Sequence, residues 1–298
     1  MASYLNTDNR PMVTDLTPVS ARTIRAQETV SSGLRNPSSG LVLLIASSAA
    51  FVLLVGLPLF TILLRTFTSG ILDRYLLDET VVAALRLSVM TTAVTLALSV
   101  LFGTPVAYVL ARHNFHGKQW IETLIDLPMV LPPAVAGVAL LMTFGRRGLM
   151  APILNQFGIE LAFTTTAVVI AQTFVAAPFF VRAAQAGFAS VDPILEGVSR
   201  TLGLSPLATF WRVTVPLALP ALLGGMVMTW ARALGEFGAT IMFAGSFTGR
   251  TQTMPLAVYQ AMESDINVSL TLSTILVIVS FAVLLIFRVL VRRGFHAR

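Results

Sequence analysis

Apolar residues along this chain come in long blocks rather than in stripes. From Leu41 to Thr66, Val81 to Ala111, Trp120 to Gly145, Thr164 to Gly187, Val215 to Phe243 and Ser269 to Val291 the sequence is almost continuously hydrophobic. Each block matches or exceeds the roughly 20 residues that an α-helix needs to cross a bilayer. A spanning segment must satisfy its backbone polar groups internally, so such blocks are read as helices. The pattern predicts an all-α, polytopic membrane protein with six transmembrane helices. Composition agrees: 55% of the 298 residues are hydrophobic and 11% are charged, against roughly 25% charged in soluble domains.

Polar residues break the pattern in two places. The first forty are rich in Ser, Thr, Asn and Pro, with Arg10, Arg22, Arg25 and Arg35 among them. They read as a disordered cytoplasmic tail over 1–40, followed by a first transmembrane helix and outer loop over 41–74. A signal peptide carries an apolar core of about 7–15 residues; the block after residue 40 is longer and is read as an anchor that stays. The net charge of +6 reads as topology rather than as a nucleic-acid surface, because the arginines gather at block ends. With the N-terminus inside, Arg112, Lys118, Arg182, Arg200, Arg212 and the C-terminal arginines fall on the cytoplasmic side. Arg65, Arg74, Arg146, Arg147 and Arg250 fall outside. Both termini are thus expected in the cytoplasm.

The second polar interruption lies between the fourth and fifth blocks, on the cytoplasmic side. Asp192 suits a helix N-cap and Pro193 the first helical position, while Gly203 suits the stop. Between them Ile194, Leu195, Val198 and Leu202 recur at helical spacing and share a face. Ser205-Pro206 then opens a second helix, Leu207 to about Thr214, and Pro216 marks the return to the membrane. A short amphipathic helix fixed at both ends fits a groove on a partner; the alternative is a helix lying on the bilayer, with Arg200 among lipid headgroups.

Within the blocks, Leu127-Pro-Met-Val-Leu-Pro-Pro-Ala134 predicts an irregular third helix, since each proline removes a backbone donor and clashes with the preceding turn. Two alternatives stand: a kink that shapes packing, or a segment lining a pathway. Arg232 and Glu236 are four apart in the fifth block, share a helix face and are expected to form an intramembrane pair. Glu236 alone would repel an anion.

Chemistry on the chain itself is sparse. A phosphate-binding loop needs Gly-x4-Gly-Lys-Ser/Thr, and Lys118 is the only lysine. ATP hydrolysis would therefore have to come from another polypeptide. The three histidines are His113, His116 and His296, with no hydrolase or metalloprotease spacing. No catalytic residue, cofactor site or metal site is expected, and the chain is read as not an enzyme. The absence of cysteine excludes disulfides and thiolate metal sites.

The cytoplasmic loop resembles the signature of ABC importer permeases: Glu-Ala-Ala, three residues, Gly, nine residues, Ile-x-Leu-Pro. Gly203 takes the glycine place, Val213 and Val215 the aliphatic places and Pro216 the proline. The front half departs: Gly197-Val198-Ser199 stands at Glu-Ala-Ala, and the acid, Glu196, comes one residue early, about 100° around a helix. The resemblance implies a type I ABC importer transmembrane domain over 75–293, with a coupling loop at 190–216 and a short cytoplasmic tail at 294–298. Asp192, Pro193, Glu196, Val198, Arg200, Gly203, Ser205, Pro206 and Pro216 would then serve coupling to a separate cytoplasmic ATPase subunit.

Leu131-Pro-Pro-Ala-Val-Ala-Gly137, Phe144-Gly-Arg-Arg-Gly148, Leu234-Gly-Glu-Phe-Gly-Ala-Thr240 and Thr251-Gln-Thr-Met-Pro-Leu-Ala-Val-Tyr259 are together similar to the molybdate permease branch of the sulfate/molybdate family. That resemblance implies a homodimer in a bacterial or archaeal cytoplasmic membrane, served by a periplasmic or lipid-anchored oxyanion-binding protein. No nucleic-acid partner is implied. Arg146, Arg147 and Arg250 become a candidate outer patch for the anion or its carrier; the plain reading is that they end helices. Tungstate and sulfate or thiosulfate remain alternative substrates. A membrane scaffold or sensor using the same loop is the alternative of another class.

Overall fold

The computed structural model describes residues 37–296. The tail expected over 1–40 lies outside the described residues as far as 36. From Pro37 the chain is already helical. Among the described residues every regular element is a helix. The first, α1 (Pro37–Thr68), reaches Pro58 with its apolar side chains from Leu41 on exposed. The compact unit begins at Leu59.

Within that unit α2 (Ile71–Tyr75) is a short turn before the long α3 (Glu79–Arg112), which starts on the Asp78 N-cap. The third apolar block is not one helix. It breaks at Leu131 and Pro132 into α4 (Lys118–Val130) and α5 (Pro133–Phe144), whose axes differ by 116°. At about 1.5 Å per residue each half covers only about 20 Å, short of the roughly 30 Å of a hydrocarbon core. Pro132 cannot donate, and Pro133 fits the first helical position of a new start. After α6 (Ala151–Gln156) comes α7 (Thr165–Ala189), the most enclosed of the helices long enough to span, with Val168, Val175, Phe180, Ala184 and Phe188 buried. The loop helix α8 (Pro193–Thr201) and α9 (Pro206–Thr209) follow.

The second loop helix does not end near Thr214, as the sequence suggested. A π turn over Phe210–Thr214 joins α9 to α10 (Val215–Leu234), so the helical path is continuous from Pro206 to Leu234. Pro216 lacks the N–H that would bond four residues back. One residue earlier, Val215 N–H reaches instead to the Phe210 carbonyl, five residues back, and the wider turn makes room for the ring. The fifth block is also divided, at Gly235–Phe237, before α11 (Gly238–Ala244). Then α12 (Met254–Ser264) leads into α13 (Ile266–His296). Five helices are long and apolar enough to cross a membrane, or six if α4 and α5 count as one bent span.

Packing is built on small residues, as expected where lipid supplies no hydrophobic drive and helices associate by close contact. A Cβ on Gly225 of α10 would stand 2.7 Å from that of Ala183 on α7, and one on Gly187 would stand 2.6 Å from Ala221. Around this α7–α10 seam, α3 contributes Ala107 and Leu110 to one apolar cluster. A second joins α5, α7 and α11 through Leu140, Val168, Ala171 and Phe243. A third joins α3, α12 and α13 through Val81, Met254, Leu272 and Ile275.

Candidate functional site

The polar loop folds on local signals. Asp192 accepts from Ile194 N (2.9 Å) and Pro193 occupies the first turn of α8. At the other end Gly203 has φ +89°. Its N–H bonds Arg200 O (3.0 Å), while Leu204 N–H bonds Ser199 O (3.1 Å). This paired closure of a helix end by a left-handed glycine satisfies two orphan carbonyls. Ser205 then caps α9 by accepting from Ala208 N (3.2 Å).

How α8 is oriented is the decisive observation, because its amphipathicity is inverted. The apolar residues point out: Ile194 is 69% exposed and Leu202 78%, with Leu195, Val198, Leu207 and Trp211 also exposed. Two polar residues, Glu196 and Ser199, point in. Glu196 is 7% exposed and accepts at Oε1 from both Arg112 Nη2 (2.6 Å) and Thr214 Oγ1 (2.7 Å). Ser199 Oγ donates to Glu196 O (2.8 Å) and lies 2.9 Å from Thr209 Oγ1. Glu196 and Ser199, three apart, thus fasten α8 to the end of α3 and to the π turn. Glu196, which the sequence groups with the coupling residues, is buried, while Gly197, about 100° further around the helix, is exposed. Asp192, Pro193, Val198, Arg200, Gly203, Ser205 and Pro206 are exposed, and Pro216 is half-buried. Arg112, which sequence reading left as a topology marker, is the missed partner.

In the fifth block, Arg232 Nη1 meets Glu236 Oε2 at 2.6 Å, with Glu236 buried. Glu236 Oε1 also accepts from Ala239 N (2.8 Å), the first turn of α11. One carboxylate therefore binds both sides of the break at Gly235–Phe237, a favourable place for an anion at a helix start. Arg146, Arg147 and Arg250, the candidate outer patch, are all exposed. Arg146 is paired with Glu160 (3.1 Å), which offsets one of the three charges, and Thr165 Oγ1 donates to the Arg250 carbonyl (2.8 Å). No group of three or more metal-ligating side chains occurs among the described residues.

Residues 99–296 match the family of the binding-protein-dependent transport system inner membrane component. The chain belongs to this family. It is a permease subunit of the ABC transporter type and not an enzyme. Relatives of the permease include the molybdenum transport system permease protein ModB of Mycobacterium tuberculosis, 46% identical over 202 residues, 68% of this chain and 76% of that one. The molybdate/tungstate transport system permease protein WtpB of Pyrococcus furiosus is 38% identical, covering 84% of this chain and 94% of its own. The sulfate transport system permease protein CysW of Synechococcus elongatus is 35% identical, covering 78% and 82%. Among solved structures, a bacterial ABC transporter for import of the acidic polysaccharide alginate aligns over 90% of this chain and 99% of its own, with TM-score 0.70 at 12% identity. The MetNI methionine ABC transporter aligns over 72% and 95%, with TM-score 0.57 at 19% identity. These two likenesses show the importer transmembrane fold.

Proposed function

We propose that the permease carries molybdate across the cytoplasmic membrane, driven by a separate ATPase subunit that docks on α8. The observation that carries this reading is the outward apolar face of a helix whose polar face is locked down. A partner groove gains by covering Ile194, Val198 and Leu202, and the Glu196–Arg112 tie converts movement of α8 into movement of α3 and α10. Two copies would form the channel, with both termini in the cytoplasm and an oxyanion-binding protein delivering substrate outside. ATP binding would draw the coupling helices together and open the path outward; hydrolysis would reset it. The molybdate and tungstate names of the relatives at 46% and 38% identity support the substrate, and the sulfate relative sets the alternative.

The test is reconstitution of the permease with its ATPase in liposomes, with the cognate binding protein added. Molybdate is expected to stimulate ATP hydrolysis at far lower concentration than sulfate. Stimulation by sulfate alone would move the protein to the neighbouring branch. No stimulation by any oxyanion, with the complex intact, would leave the scaffold reading. In the same assay Arg146→Gln with Arg147→Gln should slow substrate capture and flatten its salt dependence, since exposed charges act through screened long-range fields. An unchanged salt dependence would return both residues to ending helices.

A further inference from the structure

A second ionic cluster lies between α4 and α7, apart from the loop and from the Arg232–Glu236 pair. Arg182 donates from Nε to Asp126 Oδ1 (2.6 Å) and from Nη2 to Asp126 Oδ2 and to the Glu122 carbonyl (3.1 Å). Its Nη1 donates to Gln185 Oε1 (2.8 Å), and Gln185 Nε2 donates to Glu122 Oε1 (2.7 Å). From charge alone Arg182 belongs to the cytoplasmic side. The structure places it inside α7, seven residues before the last, or about 10 Å along the axis.

We propose that Glu122, Asp126, Arg182 and Gln185 line a water-filled, cytoplasmic-side stretch of the translocation path, and that Arg182 there binds the oxyanion in exchange for Asp126. The inference rests on the reading of the chain as an oxyanion permease. Its first support is exposure. The side chains of Arg182, Asp126 and Glu122 are 32%, 41% and 23% exposed, and ionised groups at membrane depth face protein or water rather than lipid. One guanidinium against two carboxylates leaves a net negative charge, which lipid tails do not solvate.

Its second support is the way α4 is held. Pro128 is the buried residue of that helix, and the far end of α4 is the 116° break. Both carboxylates ride on this thinly packed arm, which ends at the break. The guanidinium stands on the enclosed α7, flanked by buried Val181 and Ala184. Its planar fork suits a tetrahedral oxyanion as well as the carboxylate it now holds, and a dianion carries twice the charge of the side chain it displaces. With the arm away, Arg182 is a bare cation on the path. With the arm back, Asp126 refills the fork and Glu122 adds repulsion, so the anion leaves and does not return.

The chain has no cysteine, so one introduced thiol is unique in the permease. Ala186→Cys places it on an exposed position one turn beyond Arg182. Phe281→Cys on α13, exposed among apolar neighbours, is the comparator. In the reconstituted complex a membrane-impermeant charged thiol reagent is expected to label position 186 at least tenfold faster than 281. Molybdate should slow that labelling far more than sulfate does. Adding Arg182→Gln should leave the labelling and abolish the protection. Adding Asp126→Asn should shift protection to about tenfold lower molybdate. Absence of labelling at 186, or protection unchanged by Arg182→Gln, overturns the inference even where molybdate still stimulates ATP hydrolysis. Loss of that stimulation in the unsubstituted complex would bring down the parent reading, and this inference with it.

Discussion

Glu196→Ala is expected to abolish coupled molybdate uptake while the permease still inserts and binds its ATPase. The substitution leaves the apolar docking face of α8 intact, so the partner can seat. It leaves the largely buried Arg112 side chain, 12% exposed, without its carboxylate and frees Thr214. Removing one member of a buried pair costs roughly 3–5 kcal/mol, and here that cost falls on the joint between the loop and the membrane helices. ATP hydrolysis should continue without dependence on molybdate, with uptake down at least tenfold. Glu196→Gln retains a bond to Thr214 and should fall between. The pairing itself is read by a double-mutant cycle: Glu196→Ala with Arg112→Ala should transport better than Arg112 would allow when stranded alone. Wild-type uptake by Glu196→Ala would show that α8 drives the bundle through other contacts.

Gly203→Leu should uncouple the transporter by a different route. A Cβ at Gly203 meets nothing within 4 Å, so crowding is not the cause. The cause is the backbone at φ +89°, where an L-residue carries a penalty of about 1–2 kcal/mol. The strain is relieved by opening the paired closure at Arg200 and Ser199, which lets α8 unwind from its last turn. Because the penalty is conformational, Gly203→Ala should behave like Gly203→Leu. Asn, which tolerates left-handed backbone better, should be milder. Uptake and ATP hydrolysis measured together decide the matter, and normal coupled uptake in Gly203→Leu would refute this account of the loop.

The caps at Asp192 and Ser205, the stop at Gly203 and the four-residue spacing of Arg232 and Glu236 were legible because each is a local rule, read within one turn of helix. What was hidden is contact across the chain. Arg112 and Glu196 are 84 residues apart, and no periodicity in either segment announces the other. The prolines at 128, 132 and 133 flagged an irregular third block, but a bend of 116° depends on what each half packs against. The division at Gly235–Phe237 carried no proline and passed as continuous apolar sequence. The partners of Arg182 were hidden for a related reason: a charge bias assigns residues to a side of the membrane, not to a depth within it or to a neighbour.

The π turn at Phe210–Thr214 fits one residue more into its circumference than an ordinary turn. That surplus offsets the angular phase of the loop from that of α10 by about 100°. A surplus of this kind can migrate along a helix by exchanging hydrogen bonds one at a time, without the helix coming apart. The joint between the loop and α10 is therefore built as a screw rather than as a lever. A small displacement of α8 can be delivered to α10 as rotation about its own axis, which presents different side chains to its neighbours while the helix stays in place.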